Sequence, residues 1–323
     1  MDKRKILVTY PLPSEGLQEL QKRFDVTVYK KGYMPKPELL KSVRDCDGLL
    51  PVGVEVDEEV IEASSRLKMI SVFGSGYDNV DIKAATNRGI IVTNIPDTVT
   101  DAAAELTMGL IISAMRRISE FDRRLRTEDN FRWDMEKNMG RLIYGKELGI
   151  IGMGRIGKAT AKRAAAFGMR ISYYNRKRLD PVIEMELDAN FKRLDDLLPS
   201  ADVISIHTPL TKETRHLIGE RELSMMKEGA YLINTSRGAV IDEKALIRYL
   251  AIGKLAGAAL DVYEDEPDIP SALLKMDNIV LTPHIGADTF ETRLQMTREA
   301  TKSFIDFFSG RKPFHIVNPQ VLE

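Results

Sequence analysis

Three side chains that can move a proton or bind an anion occur late in this sequence. Arg237, Glu266 and His284 each come shortly after an apolar run of the kind that forms a buried parallel strand. Because the carboxyl ends of parallel strands meet at one edge of a sheet, we expect these side chains to lie close together. An imidazole can exchange a proton with a substrate oxygen, a carboxylate can hold that imidazole and favour its charged form, and a guanidinium can polarise a carbonyl or bind a carboxylate. Taken singly, they are also compatible with a surface ion pair, an acidic loop and a structural histidine.

A glycine-rich turn precedes these residues. The run Glu147–Ile151 leads into Gly152-Met153-Gly154-Arg155-Ile156-Gly157, and an Ala-rich helical pattern continues over 158–168. In this context the first glycine permits a tight turn, the second lets a pyrophosphate approach the backbone, and the third lets the helix pack closely on the strand. The helix N-terminus adds unpaired N–H groups and a positive dipole end. The pattern predicts a dinucleotide-binding site.

The end of the next predicted strand, 171–174, indicates which dinucleotide binds. An NAD site usually places Asp or Glu there to accept hydrogen bonds from the ribose 2′-hydroxyl. This chain has Asn175 followed by Arg176-Lys177-Arg178. A carboxylate would repel a 2′-phosphate, whereas an amide and cations can bind one. We therefore predict a preference for NADP. NAD is the alternative, in which the basic turn is merely solvated.

Beside a nicotinamide, Arg237, Glu266 and His284 form a set suited to a dehydrogenase. A hydrolase that uses Glu266 and His284 is a weaker hypothesis, because no nucleophilic Ser or Cys motif accompanies them. We predict no metal ion.

Composition narrows the class of protein. A chain of 323 residues exceeds the size at which single cores stop growing, so we expect two domains. With 29% charged residues and a net charge of −1, the chain has neither a nucleic-acid footprint nor a polybasic membrane anchor. No secretory signal is evident, and the most apolar segment, 102–115, is too short to span a bilayer. The single Cys46 fits a reducing compartment. We expect a cytoplasmic protein without nucleic-acid or membrane partners.

Strand and helix patterns alternate along two stretches of the chain. Apolar runs in the first stretch predict strands at 6–10, 26–29, 48–51, 69–72 and 90–93. The second stretch begins with a long helix from Thr100 to about Arg124 and continues with six predicted strands, and a helix over about 288–309 closes the chain. In the first stretch, Gly74 and Gly76 lie in a turn between a strand and a helix. This turn is either a cradle for a small anion or an ordinary flexible connection.

The whole chain resembles the D-isomer-specific 2-hydroxyacid dehydrogenases. The resemblance rests on five motifs in the order of that family: Gly152-Met153-Gly154-Arg155-Ile156-Gly157, His207-Thr208-Pro209-Leu210-Thr211, Asn234-Thr235-Ser236-Arg237-Gly238, Asp261-Val262-Tyr263-Glu264-Asp265-Glu266-Pro267 and Thr282-Pro283-His284-Ile285-Gly286. It implies that Arg237, Glu266 and His284 are catalytic, with His284 as the proton donor in reduction. It also implies that Gly74, Ser75 and Gly76 bind the substrate together with Arg237 and His284, the amides of Ser75 and Gly76 meeting its carboxylate.

The resemblance further implies the architecture: an α/β protein of two doubly wound domains with the active site in the cleft between them. A flavodoxin-like substrate domain would cover 1–98 and 287–323, a Rossmann coenzyme domain would cover 99–286, and a homodimer would form largely between coenzyme domains. Asp261 would face the nicotinamide amide. The predicted coenzyme-binding residues are Gly152, Gly154, Arg155, Ile156, Gly157, Asn175, Arg176, Lys177, His207, Thr208, Pro209, Thr214, Thr235, Ser236 and Asp261.

Within the family, the sequence is most similar to the glyoxylate and hydroxypyruvate reductases and the 2-ketogluconate reductases, and Asn175-Arg176 is similar to NADP-preferring members. The resemblance implies reduction of small 2-keto acids to D-2-hydroxy acids, first of all glyoxylate or hydroxypyruvate. A 2-ketogluconate reductase and an enzyme similar to D-3-phosphoglycerate dehydrogenase are alternatives. A coenzyme-sensing binding protein, similar to the corepressor relatives of the family, is the alternative from a different class.

Overall fold

The computed structural model describes residues 3–129, 131–132 and 134–322. In chain order the strands are β1 (Lys5–Val8), β2 (Asp25–Val28), β3 (Gly48–Leu50), β4 (Met69–Ser71), β5 (Ile91–Thr93), β6 (Glu147–Ile151), β7 (Arg170–Tyr174), β8 (Ala189–Phe191), β9 (Val203–Ile206), β10 (Ala230–Asn234), β11 (Leu255–Leu260) and β12 (Ile279–Leu281). The helices are α1 (Ser14–Arg23), α2 (Lys36–Val43), α3 (Glu58–Ala63), α4 (Ile82–Asn87), α5 (Thr100–Arg116), α6 (Ile118–Thr127), α7 (Arg155–Ala166), α8 (Pro181–Leu187), α9 (Leu194–Leu197), α10 (Glu220–Met225), α11 (Glu243–Ala251), α12 (Ser271–Leu274) and α13 (Phe290–Phe308). Of the helices in these residues, none has both the length and the apolar character needed to span a bilayer.

The chain separates into two compact units. Unit 1 comprises Met1–Val99 and Ala287–Glu323, and unit 2 comprises Thr100–Gly286. Val99, which the sequence-based division assigned to the second domain, packs into the core of unit 1.

Unit 1 is built on a parallel sheet with the strand order β2-β1-β3-β4-β5. This is the order of flavodoxin-like doubly wound folds. All residues of β3, β4 and β5 are buried, which is why these strands read as continuous apolar runs rather than as alternating patterns. α1 and α13 cover one face of the sheet, and α2, α3 and α4 contribute to the core on the other.

The segment after α13 completes the edge of this sheet. The amide of Val317 donates to the carbonyl of Val92 at 2.8 Å. Asn318 is completely buried, and its Oδ1 accepts from the amide of Val92 at 2.8 Å. Its Nδ2 donates to the carbonyl of Ile90 at 2.9 Å and to Oγ1 of Thr86 at 3.0 Å. One amide side chain therefore satisfies backbone groups of the edge strand that would otherwise be buried without partners.

Unit 2 is built on a parallel sheet with the order β12-β11-β10-β9-β6-β7-β8. Counted from β6, this is the Rossmann order 3-2-1-4-5-6 with a further strand beyond the sixth. α5 and α7 pack on one face, and α10 and α11 pack on the other. The strand order reverses between β6 and β9, so ligands are expected outside the carboxyl ends of these strands. The predicted fold class, with two doubly wound α/β domains, is confirmed.

The expectation of six strands in the second domain was wrong, because the described residues of unit 2 contain β8 as well. β8 has three residues, and its central Asn190 is exposed. A short strand at the edge of a sheet needs neither an apolar run nor clear alternation, so the sequence pattern did not reveal it.

The expectation of one helix from Thr100 to about Arg124 was also wrong. α5 ends at Arg116, and Arg117 adopts a left-handed conformation with φ of 57° before α6 begins. The Arg117 guanidinium donates to Glu120 at 2.6 and 2.7 Å and to the carbonyls of Lys137 and Met139 at 2.7 and 3.3 Å. Contacts with a later segment therefore stabilise the break, and no glycine or proline marks it in the sequence.

We expect Asn318→Ala to destabilise unit 1 by about 2–4 kcal/mol, because it leaves the buried Val92 amide and Ile90 carbonyl without partners. The shift of the urea unfolding midpoint measures this loss. The exposed neighbour Gln320 provides the control, and Gln320→Ala should change stability by no more than about 0.5 kcal/mol. An unchanged midpoint for Asn318→Ala would show that the three hydrogen bonds contribute nothing.

Candidate active site

The glycine-rich turn lies at the point where the strand order of unit 2 reverses. Gly152 follows β6 with φ of +97°, and a Cβ there would lie 2.8 Å from the backbone of His207, at the end of β9. A Cβ on Gly157 would lie 2.4 Å from the carbonyl oxygen of Gly152. Both positions therefore require glycine, the first for its conformation and the second for close contact between α7 and β6.

Gly154 differs, because apart from its own chain neighbours no atom of the described residues lies within 4 Å of its Cβ position. Its glycine is not needed to avoid a clash with this part of the protein, and its φ of −83° is open to other residues. Nearby, the buried Oγ1 of Thr208 has no hydrogen-bond partner among the described residues. An open backbone at the start of α7 and an orphaned hydroxyl are the features expected where a phosphate-bearing coenzyme binds.

In the basic turn after β7, two side chains are hydrogen-bonded to other parts of the described chain and two are not. Oδ1 of Asn175 accepts from the amide of Met153 at 2.7 Å, so this side chain ties β7 to the glycine-rich turn. Arg178 is held by Glu184 through contacts of 2.8, 2.9 and 3.1 Å. Arg176 and Lys177 are exposed and form no hydrogen bond or ion pair within the described residues. These two cations are therefore the ones available to an anion.

Arg237, Glu266 and His284 lie beyond the carboxyl ends of β10, β11 and β12, which are neighbours in the sheet. Nδ1 of His284 lies 2.7 Å from Oε2 of Glu266. Since a carboxylate only accepts hydrogen bonds, Nδ1 carries a proton and Nε2 is left for another partner. The imidazole is about half exposed, with 48% of its side-chain surface accessible.

The electrostatics of Glu266 favour its ionised form. Burial alone would raise the pKa of Glu266, but the hydrogen bond and charge of His284, the amide of Tyr263 and the charge of Arg237 together lower it. The amide of Tyr263 donates to Oε1 at 3.0 Å. Glu266 is therefore a carboxylate at neutral pH, bound on one oxygen by the backbone and on the other by His284.

Asp261 holds the backbone that carries His284. The amide of His284 donates to the Asp261 carbonyl at 2.8 Å, the amide of Ile285 to Oδ1 at 2.8 Å and the amide of Gly286 to Oδ2 at 2.9 Å. Thr282 donates to Oδ1 at 2.6 Å. Burial raises the pKa of Asp261, although these hydrogen bonds act against the rise. They support the left-handed conformation of His284, whose φ is 55°.

The predicted substrate turn belongs to unit 1. The carbonyl of Gly74 accepts from the amide of Ile95 at 2.8 Å, and the carbonyl of Ser75 accepts from Nδ2 of Asn94 at 2.7 Å. The amides of Ser75 and Gly76 have no hydrogen-bond partner among the described residues. Two consecutive amides that are free while the neighbouring carbonyls are bound suit an anion cradle.

Comparison with known proteins agrees with this geometry. Residues 108–286 match the model of the D-isomer specific 2-hydroxyacid dehydrogenase NAD binding domain. The glyoxylate reductase of Thermococcus litoralis is 44% identical over 326 residues, which cover 99% of this chain and 98% of that protein. The chain belongs to the D-isomer-specific 2-hydroxyacid dehydrogenase family. The resemblance inferred from the five motifs is confirmed, and the protein is an NAD(P)-dependent oxidoreductase.

Solved structures show the same relationship across both units. The TT0316 protein from Thermus thermophilus superposes with a TM-score of 0.91 at 42% identity, with coverage of 97% of this chain and 99% of that one. The NADPH-dependent glyoxylate/hydroxypyruvate reductase from Sinorhizobium meliloti, in complex with NADP and malonate, superposes with a TM-score of 0.86 at 30% identity, with coverage of 98% and 97%.

Sequence reasoning missed the residues that shape the Arg237 loop of this dehydrogenase. Buried Asn234 accepts on Oδ1 from the amide and hydroxyl of Ser236 at 3.0 and 2.8 Å, and its Nδ2 donates to the Arg237 carbonyl at 2.9 Å. A Cβ on Gly238 would lie 1.9 Å from the carbonyl carbon of Tyr263. An Asn that bonds the backbone two residues later is a recognisable turn signal, but nothing local indicates the contact at Gly238.

The histidine of the second motif is unsuited to proton donation near neutral pH. Burial lowers the pKa of His207 to about 4, and its Nε2 lies 2.9 Å from Oγ of Ser205. The imidazole is therefore neutral at the end of β9, which is compatible with the predicted place beside the coenzyme.

The remaining predicted coenzyme contacts lie in loops of the same unit. Thr214 donates to the carbonyl of Pro209 at 2.7 Å and orders the exposed loop after β9. Oγ1 of Thr235 lies 2.9 Å from Oγ1 of Thr107 on α5. These side chains already have protein partners, so any coenzyme contact uses their remaining hydrogen-bonding capacity or their backbone.

We expect Gly154→Ala to weaken NADPH binding by at least about tenfold without lowering the thermal unfolding temperature, because the new methyl group meets ligand rather than protein. Calorimetric titration and thermal melts measure the two effects. Gly109, in α5, also has open space at its Cβ position within the described part of the chain and provides a matched control. Gly109→Ala should bind NADPH like the wild type. Equal affinity in Gly154→Ala would argue against a phosphate site at this turn.

Proposed function

We propose that this dehydrogenase is an NADPH-preferring reductase that converts small 2-keto acids, above all glyoxylate and hydroxypyruvate, to D-2-hydroxy acids. The hydrogen-bonded Glu266–His284 pair is the single observation that carries the proposal, because it gives the carboxyl edge of the sheet a built proton donor. The names of the relatives in Thermococcus litoralis and Sinorhizobium meliloti support the substrate class.

The coenzyme would be held by the residues of unit 2 that fit it. Gly154 and the start of α7 would meet the pyrophosphate, and Thr208 would supply its orphaned hydroxyl. Arg176 and Lys177 would bind a 2′-phosphate, since Arg178 is already paired with Glu184. When bound, NADPH supplies a hydride to the carbonyl carbon of the keto acid.

The protein side chains then orient the substrate and move the proton. Arg237 binds the carboxylate or polarises the carbonyl, and the free amides of Ser75 and Gly76 bind the carboxylate. Nε2 of His284 faces away from the Glu266 bond and gives its proton to the oxygen that becomes the alcohol. Glu266 stabilises the charged imidazole and fixes its orientation.

We also propose a homodimer that acts in the cytoplasm. Large apolar side chains are exposed along one stretch of unit 2, as expected for a surface covered by a partner. They are Ile118, Leu125, Met135, Met139, Leu142 and Tyr144. Burial raises the pKa of Cys46 to about 11, so its side chain is an unreactive thiol near neutral pH. A single buried thiol is compatible with the reducing cytoplasm.

The activity is tested by oxidation of NADPH and NADH, measured in parallel with glyoxylate, hydroxypyruvate, 2-ketogluconate and 3-phosphohydroxypyruvate. We expect the highest kcat/KM with NADPH and one of the first two acids. Highest activity with 2-ketogluconate or the phosphorylated acid would transfer the assignment to that substrate. Coenzyme binding without turnover on any acid would favour the binding-protein alternative.

His284→Ala should lower kcat by about a hundredfold to ten-thousandfold, because it removes the general acid. Steady-state kinetics on the best substrate measures the effect, and an unchanged dissociation constant for NADPH serves as the control for folding. A rate close to that of the wild type would refute the role of His284.

Arg176→Ala should raise KM for NADPH by about tenfold to a hundredfold, because it removes a charge-assisted contact with the 2′-phosphate. KM for NADH should not change. Arg170→Ala removes the same charge at the opposite end of β7 and is the control. If KM for NADPH is the same in Arg176→Ala and the wild type, this side chain does not determine coenzyme preference.

A further inference from the structure

Glu243 is a buried carboxyl group that has no part in the proposed reaction. It is the first residue of α11, and only 6% of its surface is exposed. Burial raises its pKa, as do the nearby charges of Glu264, Asp265 and Glu266, against one backbone hydrogen bond that lowers it. A carboxyl group in this position is electrostatically unfavourable, and its hydrogen bond to the backbone offsets part of that cost.

That hydrogen bond reaches the loop that carries Glu266. Oε1 of Glu243 accepts from the amide of Glu264 at 2.8 Å. The preceding amide, of Tyr263, donates to Oε1 of Glu266 at 3.0 Å. Two consecutive amides are therefore bound by two carboxyl groups, one from α11 and one from the loop itself. The peptide plane that joins Tyr263 to Glu264 turns as one body, so the bond from Glu243 fixes the direction of the Tyr263 carbonyl. It thereby limits the backbone rotation at Tyr263, whose own amide binds Glu266.

The side chain of Glu264 cannot replace this restraint. Its Oε1 is already bound by Arg215 at 2.7 Å and His216 at 2.8 Å, so it points away to another loop. On the other side, the backbone of Tyr263 and Glu264 lies directly against Gly238. The loop is thus held between Gly238 and α11, and Glu243 provides the polar contact on the α11 side.

We propose that Glu243 is a positioning residue for the Glu266–His284 pair. It acts through the Glu264 amide, which holds the loop so that Glu266 presents Oε2 to Nδ1 of His284. The inference rests on the proposed function for its effect on turnover, but the geometry of the pair can be measured without turnover.

Three variants separate the hydrogen bond from the charge. Glu243→Gln keeps an acceptor of the same length without the charge, Glu243→Asp keeps the charge but withdraws the acceptor by one methylene, and Glu243→Leu removes both. We expect kcat to fall by about tenfold to a hundredfold in the Leu and Asp variants, because the catalytic pair is misplaced. In Glu243→Gln, kcat should remain within about threefold of the wild type. KM for the coenzyme should not change in any of them.

Glu220→Leu is the matched control, because Glu220 is the first residue of the adjacent α10 but is exposed. It should leave kcat unchanged.

The second measurement is the proton NMR signal of the His284 Nδ1–H group, which its hydrogen bond to Glu266 shifts downfield. Glu266→Gln identifies the signal by moving it. We expect the wild-type signal to persist in Glu243→Gln and to move or broaden in Glu243→Leu and Glu243→Asp. If the Leu variant does not fold, the Gln and Asp variants decide the matter.

Two results would overturn the inference. Wild-type kcat and an unmoved signal in the Leu and Asp variants would show that the loop needs no hydrogen bond from Glu243. An equal loss in Glu243→Gln would show that the charge, rather than the acceptor, matters. If the wild type reduces no keto acid, the proposed function fails, whereas the NMR comparison still tests the positioning.

Discussion

The close approach of Gly238 to Tyr263 is the constraint on which the candidate site depends. The loop after β10 lies so close to the loop after β11 that there is no room for a Cβ on Gly238. Arg237 immediately precedes this contact, and Glu266 follows it by three residues. The guanidinium and the carboxylate are therefore placed in one region by their backbones, and the charge of Arg237 helps to lower the pKa of Glu266.

Carboxyl groups organise the irregular backbone at this edge of the sheet. Loops beyond strand ends lack the regular hydrogen bonds of the strands, so their buried amides need other acceptors. Asp261 supplies them for Ile285 and Gly286, Glu266 for Tyr263, and Glu243 for Glu264. One of these carboxyl groups, Glu266, also accepts from Nδ1 of His284, so the same side chain shapes its loop and orients the imidazole.

The larger features of the fold were predictable because they depend on local patterns. Apolar runs marked the strands of unit 1 closely. The edge strand β8 and the break at Arg117 were missed. Both depend on surroundings: β8 pairs with β7 without a pattern of its own, and Arg117 is held by carbonyls from a later segment.

The sequence by itself determined the fold class, the glycine-rich turn and the candidate reactive side chains, since residue type and spacing along the chain express these directly. Only the tertiary structure decided which polar groups are still available for a ligand. The side chain of Asn175 accepts from the amide of Met153 in the glycine-rich turn. Arg178 donates to Glu184, and Glu243 accepts from the amide of Glu264. These bonds join groups whose distances and directions are set by the packing of strands, helices and loops, and no local pattern encodes that geometry.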